Sequence, residues 1–142
     1  MYPFARLTEL YRLKDKLINI NFYLWVKKAS RALLVFMLVL MPYATLTPDP
    51  GVPSGSAPFL HLAGMAWVAF LACMSFETIK ARAGAVLFVL AYSALMELFQ
   101  HYLPYRHGTW EDVGTNSLGC LIGIGIFGAG NRLRILYPRI FF

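Results

Sequence analysis

Between positions 97 and 116 the chain sets out Glu97, Gln100, His101, Arg106, Asp112 and Asn116. Side chains of these types can hold an ion, share a proton or lock two helices together. Glu97, Gln100 and His101 stand at i, i+3 and i+4, which places them on one side of a helix. Asp112 and Asn116, at i and i+4, share a face in the same way. Arg106 lies between the two groups, and its planar guanidinium suits a bidentate pairing with Glu97 or Asp112. Gln100 and Asn116 would then hydrogen-bond the remaining carboxylate oxygens. Asp112 also suits the start of a helix, where free N–H groups and the positive dipole end favour a carboxylate. His61, far off in sequence, belongs at about the same membrane depth and is a further candidate for the cluster.

Three uses of this set stay open. It can line a binding pocket, it can supply an acid–base pair from Glu97 and Asp112, or it can be an interhelical lock. A metal site is not expected: His61, His101, His107, Glu97 and Asp112 show no recognised ligand spacing. No cofactor is implied. Ser93 and Ser117 lack a nucleophile-elbow context, and neither cysteine is predicted near the outer surface. Tyr43, Tyr102, Tyr105 and Trp110 read as an interfacial aromatic belt. Trp110 and Tyr105 are also able to stack on a sugar or an aromatic ligand.

The elements that carry these residues are apolar. Hydrophobic residues make up 58% of the chain and charged ones 14%, with a mean hydropathy of +0.57. A soluble domain carries about 25% charged residues, so this composition is that of an integral membrane protein. The 142 residues read as one membrane domain, all-α, with spans over 29–46, 59–76, 81–103 and 113–130. Each is long enough to cross a hydrocarbon core of about 30 Å. Charged groups inside such spans are costly and read by default as functional.

The net charge of +6 lies in the flanks of the apolar runs, not in a patch suited to nucleic acid. Of the 13 Lys and Arg residues, only Arg106 falls in the two loops that join spans one to two and three to four. The other twelve lie in or next to the N-terminal region, the middle loop and the tail, with Arg31 just inside the first span. This asymmetry predicts that both termini face the cytoplasm and the polar cluster faces outward. Residues 4–25 read as an amphipathic interfacial helix that precedes the first span. A plain positive-inside anchor is the alternative. No secretory signal peptide is expected, since the first apolar run begins near residue 29 without a small-residue cleavage site. Cys73 and Cys120 lie in apolar runs and read as packing residues. Gly119-Cys-Leu-Ile-Gly123 offers a close-packing face on the fourth helix, continued by Gly125 and Gly128, which also suits self-association into a homo-oligomer. No inverted repeat supports transport.

The pattern Glu97-x-x-Gln100, then Arg106, then Asp112-Val-x-x-Asn116-x-x-Gly119-x-x-x-Gly123 resembles the VanZ-like family, named for a teicoplanin-resistance determinant. His61 in Phe59-Leu-His-Leu matches a family histidine at the start of the second helix. The charged residues that often precede that histidine are replaced here by Ser56, Ala57 and Pro58. The resemblance implies a bacterial inner-membrane protein, linked in some members to glycopeptide tolerance, with no established reaction. The function expected is an outward-facing polar pocket that binds or modulates an envelope component, such as a lipid-linked cell-wall precursor or a glycopeptide. The alternatives are a membrane-embedded hydrolase or transferase using Glu97 and Asp112, and a structural or partner module. Membrane lipids are the other partners implied.

Overall fold

A computed structural model describes residues 3–48, 57–105 and 108–136, and the regular structure among them is entirely helical. The helices are α1 (Pro3–Leu46), α2 (Ala57–Ser75), α3 (Ile79–His101) and α4 (Trp110–Leu136). Each contains a segment long and apolar enough to cross a membrane, as the hydropathy pattern predicts. Those segments are Leu17–Leu46, Ala57–Ser75, Ile79–His101 and Trp110–Leu133. Helix α4 begins three residues before the predicted span because Thr109 caps it. The Thr109 hydroxyl accepts from the Asp112 backbone N–H at 3.2 Å and donates to Asp112 Oδ2 at 2.7 Å. This is a variant of the capping box, with an aspartate at the third helical position.

Helix α1 differs from the sequence reading. A separate interfacial helix over 4–25 is predicted, whereas one helix of 44 residues runs through that boundary. No glycine lies within it, and Pro42 is the next proline after Pro3, so nothing breaks the helix near Trp25-Val-Lys-Lys. Its length is about 66 Å, roughly twice the hydrocarbon thickness. The Arg31 Nε donates to the Ser75 carbonyl at 2.9 Å, which sets this point of α1 level with the end of α2. Lys27 and Ser30 just before it are buried, whereas every side chain from Leu17 to Trp25 is exposed.

Pro42 has no N–H to offer the Leu38 carbonyl. Tyr92 of α3 donates its hydroxyl to that carbonyl at 3.1 Å. In a bilayer no water is present to replace a missing backbone bond, so the neighbouring helix must do so. The turn between α2 and α3 is handled similarly. Arg31 serves the Ser75 carbonyl, and Arg82 donates from Nε to the Phe76 carbonyl at 2.9 Å. Cations at a helix C-terminus also meet the negative end of its dipole.

The core centres on α2. Val68, Ala69 and Ala72 are buried against Leu34 of α1, Val89 of α3 and Cys120 of α4. Helix α4 lies closest to α2, at its glycines. A Cβ on Gly119 would sit 2.5 Å from the Leu62 carbonyl oxygen, and one on Gly123 would overlap the Ala66 carbonyl oxygen. Small residues at these positions let the two backbones approach. Gly125 and Gly128 have open space where a Cβ would stand. Cys73 and Cys120 are both buried and free.

Candidate functional site

At the end of the bundle where α1 ends and α4 begins, three helices each bring one polar side chain inward. His61 comes from the second turn of α2, Glu97 from the last turns of α3 and Asn116 from the second turn of α4. His61 Nδ1 lies 3.1 Å from Asn116 Oδ1 and 3.5 Å from Glu97 Oε1. Asn116 Nδ2 donates to Glu97 Oε1 at 3.3 Å. The amide therefore has one sense: its oxygen accepts from the His61 ring N–H and its NH2 serves the carboxylate. Glu97 and Asn116 are 5% and 2% exposed, so the contact is shielded from solvent.

Oε1 is thus occupied, while Glu97 Oε2 is buried and has no partner among the described residues. A buried carboxylate oxygen without a donor costs about 1–3 kcal/mol or more. No lysine or arginine among the described residues pairs with Glu97. Arg106, the cation predicted to do so, lies outside the described residues.

The glycine at position 108 explains how the returning chain reaches this point. A Cβ there would overlap the Glu97 carbonyl oxygen. The loop therefore presses backbone to backbone on α3 at the level of the carboxylate before α4 starts.

The remaining predicted residues divide. Gln100 is buried, but its Nε2 donates to the Thr45 carbonyl of α1 at 2.8 Å, not to a carboxylate. With the Tyr105 hydroxyl, which reaches the Leu46 carbonyl at 3.4 Å, it serves the last carbonyls of α1. His101 is exposed and stands edge-on to the Tyr102 ring at 5.8 Å. It lies about 100° around the helix from Gln100, so the inward arc takes the glutamine and leaves the histidine outside. Asp112 is engaged at the α4 cap by Thr109. Gly119 and Gly123 hold α4 against α2, and so fix the depth at which Asn116 meets His61 and Glu97.

A cleft of about 490 Å³ adjoins the polar group, lined from α1, α2 and α3 with Asn116 from α4. Met37, Met41, Met65 and Met96 line it, with Tyr43, Trp67, Thr45 and Ser93. None of these is singled out by the sequence reading as a cleft residue. The i, i+4 pair Met37 and Met41 was the available signal, but such a pair reads equally well as core or lipid-facing surface. Tyr43, Leu60 and Trp67 line the cleft and are also exposed, so it opens sideways on the apolar surface of the bundle. Chemically, the site offers a carboxylate held by one amide, next to an apolar space that reaches the lipid-facing side.

Compared with known protein families, residues 3–131 match the VanZ/LLP1 family model. No curated protein and no solved structure matches the chain.

Proposed function

The chain belongs to the VanZ/LLP1 family, and we propose that it is a multi-pass protein of the bacterial cytoplasmic membrane that holds an envelope amphiphile in the cleft beside Glu97. The observation that carries this reading is the cleft itself: an apolar volume with a sideways mouth and one polar end. Ligand sites are mostly apolar, with a few polar groups that set orientation. From Ala57 to Val68 the lining spans twelve positions of α2, about 16 Å of helical rise, a length suited to part of a lipid chain.

The charge asymmetry supports an orientation with both termini in the cytoplasm. The end that carries Lys27, Arg31 and Arg82 then lies at the inner leaflet, and the cleft opens in the outer half of the membrane. Lipid-linked cell-wall precursors and acylated glycopeptides both present apolar chains there, which suits a role in glycopeptide tolerance. The exposed N-terminal part of α1, with Leu17, Leu24 and Trp25, suits contact with the inner leaflet. A homo-oligomer would use Gly125 and Gly128, because Gly119 and Gly123 already meet α2.

One observation favours a second reading, in which the cluster is an interhelical tie: Asn116 bonds Glu97 directly. The tie accounts for Oε1 but leaves both Oε2 and the cleft without a role. An acid–base pair is less well supported, since Asp112 is engaged by Thr109 and does not line the cleft.

Gly64 lines the cleft and has open space at its Cβ, so Gly64→Phe fills the volume without displacing backbone. Thermal unfolding of the purified protein, with and without lipid-linked precursors or a lipoglycopeptide, tests the reading. Ligand at a hundred times its Kd should stabilise the wild type by about 2.7 kcal/mol and Gly64→Phe by far less. If no such ligand shifts the wild type, the tie is the better account.

A further inference from the structure

We infer that the polar end of this cleft is built for a primary ammonium group, so that the bound amphiphile carries an amine at its polar end and an apolar chain beyond it. The inference rests on the cleft being the binding site proposed above. It begins from the direction of the hydrogen bonds. Five lining residues have already directed a side-chain donor at an acceptor of the protein, the first being His61, whose Nδ1–H serves Asn116 Oδ1 at 3.1 Å. Asn116 Nδ2 serves Glu97 Oε1 at 3.3 Å, and Gln100 Nε2 serves the Thr45 carbonyl at 2.8 Å. The Thr45 hydroxyl serves the Met41 carbonyl at 2.8 Å, and the Ser93 hydroxyl serves the Leu90 carbonyl at 3.1 Å. What is left unanswered is an acceptor, the buried Glu97 Oε2.

A ligand that answers this site must donate. Among the described lining residues Glu97 is the one acid, and neither lysine nor arginine is present. A phosphate or carboxylate head would set its own lone pairs against Oε2, with no lysine or arginine among the described lining residues to offset the repulsion and with His61 already turned to Asn116. A hydroxyl supplies one neutral donor. A primary ammonium supplies three donors and a compensating charge, and hydrogen bonds between ionised partners are about twice as strong as neutral ones. Low local dielectric raises the attraction further. The methionines provide unbranched, polarisable walls that adapt to a flexible chain.

The test uses the full chain in phosphatidylcholine vesicles, whose lipid carries no primary amine. Trp25 and Trp110 are exposed and outside the cleft, so Trp25→Phe with Trp110→Phe leaves Trp67, in the cleft wall, as the single reporter. The probes share one brominated alkyl chain and differ in the head: primary amine, trimethylammonium or phosphate. Saturable quenching of Trp67 should show the primary amine binding at least tenfold more tightly than either other head. Trimethylammonium keeps the charge and lacks the N–H donors. Glu97→Gln should abolish the preference while the chain still binds, and Gly64→Phe should abolish saturable quenching by all three.

Equal binding of the three heads, or tighter binding of the phosphate, overturns the amine assignment and leaves the cleft reading intact. Retention of the amine preference in Glu97→Gln overturns it too. No saturable quenching by any probe overturns both. The comparison of heads on the wild type needs no variant at the site, so it decides the question even if Glu97→Gln is poorly folded.

Discussion

Asn116 spends both ends of its amide across helix interfaces, one on His61 and the other on Glu97. Asn116→Ala removes both bonds and leaves the Glu97 Oε1 without its donor. Interhelical hydrogen bonds in membranes average about 0.6 kcal/mol and reach about 1.7. Asn116→Ala should therefore cost about 1–2 kcal/mol in reversible SDS unfolding followed by circular dichroism. Glu97→Gln keeps an oxygen for Asn116 and removes a carboxylate whose second oxygen has no described partner. It should cost less than Asn116→Ala in the same assay. If the glutamine variant instead loses more than the alanine variant, the carboxylate is itself the lock, and an Arg106 pairing becomes the natural cause. The presence of Glu97 and Asn116 at a polar site was readable from their types, since neither is cheap in hydrocarbon. Which atom each would bond was not readable, as Gln100 shows by turning to α1.

Helix α4 is held to α2 by two glycines, although it follows α3 in the chain. Gly123→Val puts a branched side chain where even a Cβ would overlap the Ala66 carbonyl oxygen. Overpacking of this kind costs about 1–3 kcal/mol. Gly128→Ala meets open space and should be neutral or stabilising by up to about 1 kcal/mol, through helix propensity alone. The same unfolding assay separates the two, and equal effects would mean that the close approach at Gly123 is not what holds α4. The repeat Gly119-x-x-x-Gly123 announced a tight helix contact, but a one-dimensional pattern does not say whether the neighbour is within the chain or in another copy. Gly108 passed unremarked for a related reason. Its need for a missing Cβ arises only because the loop lies on the Glu97 carbonyl.

Across the whole molecule, one end of the bundle is basic and tied by arginines to the α2–α3 turn, while the other is the acidic and amide-bearing end beside the cleft. Both native cysteines are buried, so single reporter cysteines on their exposed flanks can read the orientation. A membrane-impermeant maleimide added to intact cells should label Pro48→Cys and Tyr102→Cys and spare Glu77→Cys until the membrane is opened. All three positions are exposed. The reverse pattern would turn the molecule over and place the cleft in the inner half of the membrane. In α1 the stretch from Leu17 to Trp25 is exposed throughout. The hydropathy of residues 4–25 suggested a separate interfacial piece, whereas local helix propensity carried the helix straight through.

Helicity, four segments able to cross a membrane, and a polar site that includes Glu97, Asn116 and His61 were all legible in the amino-acid chain. These follow from local properties: the length of apolar runs, the cost of polar groups in hydrocarbon, and spacing along a helix. That Gln100 serves α1, that α4 docks on α2, and that four methionines surround a cleft beside an unanswered carboxylate oxygen emerged with the packed bundle alone. Those outcomes depend on how far apart the helix axes settle and how they are rotated. Close packing sets both, through contacts between residues that are distant in the chain.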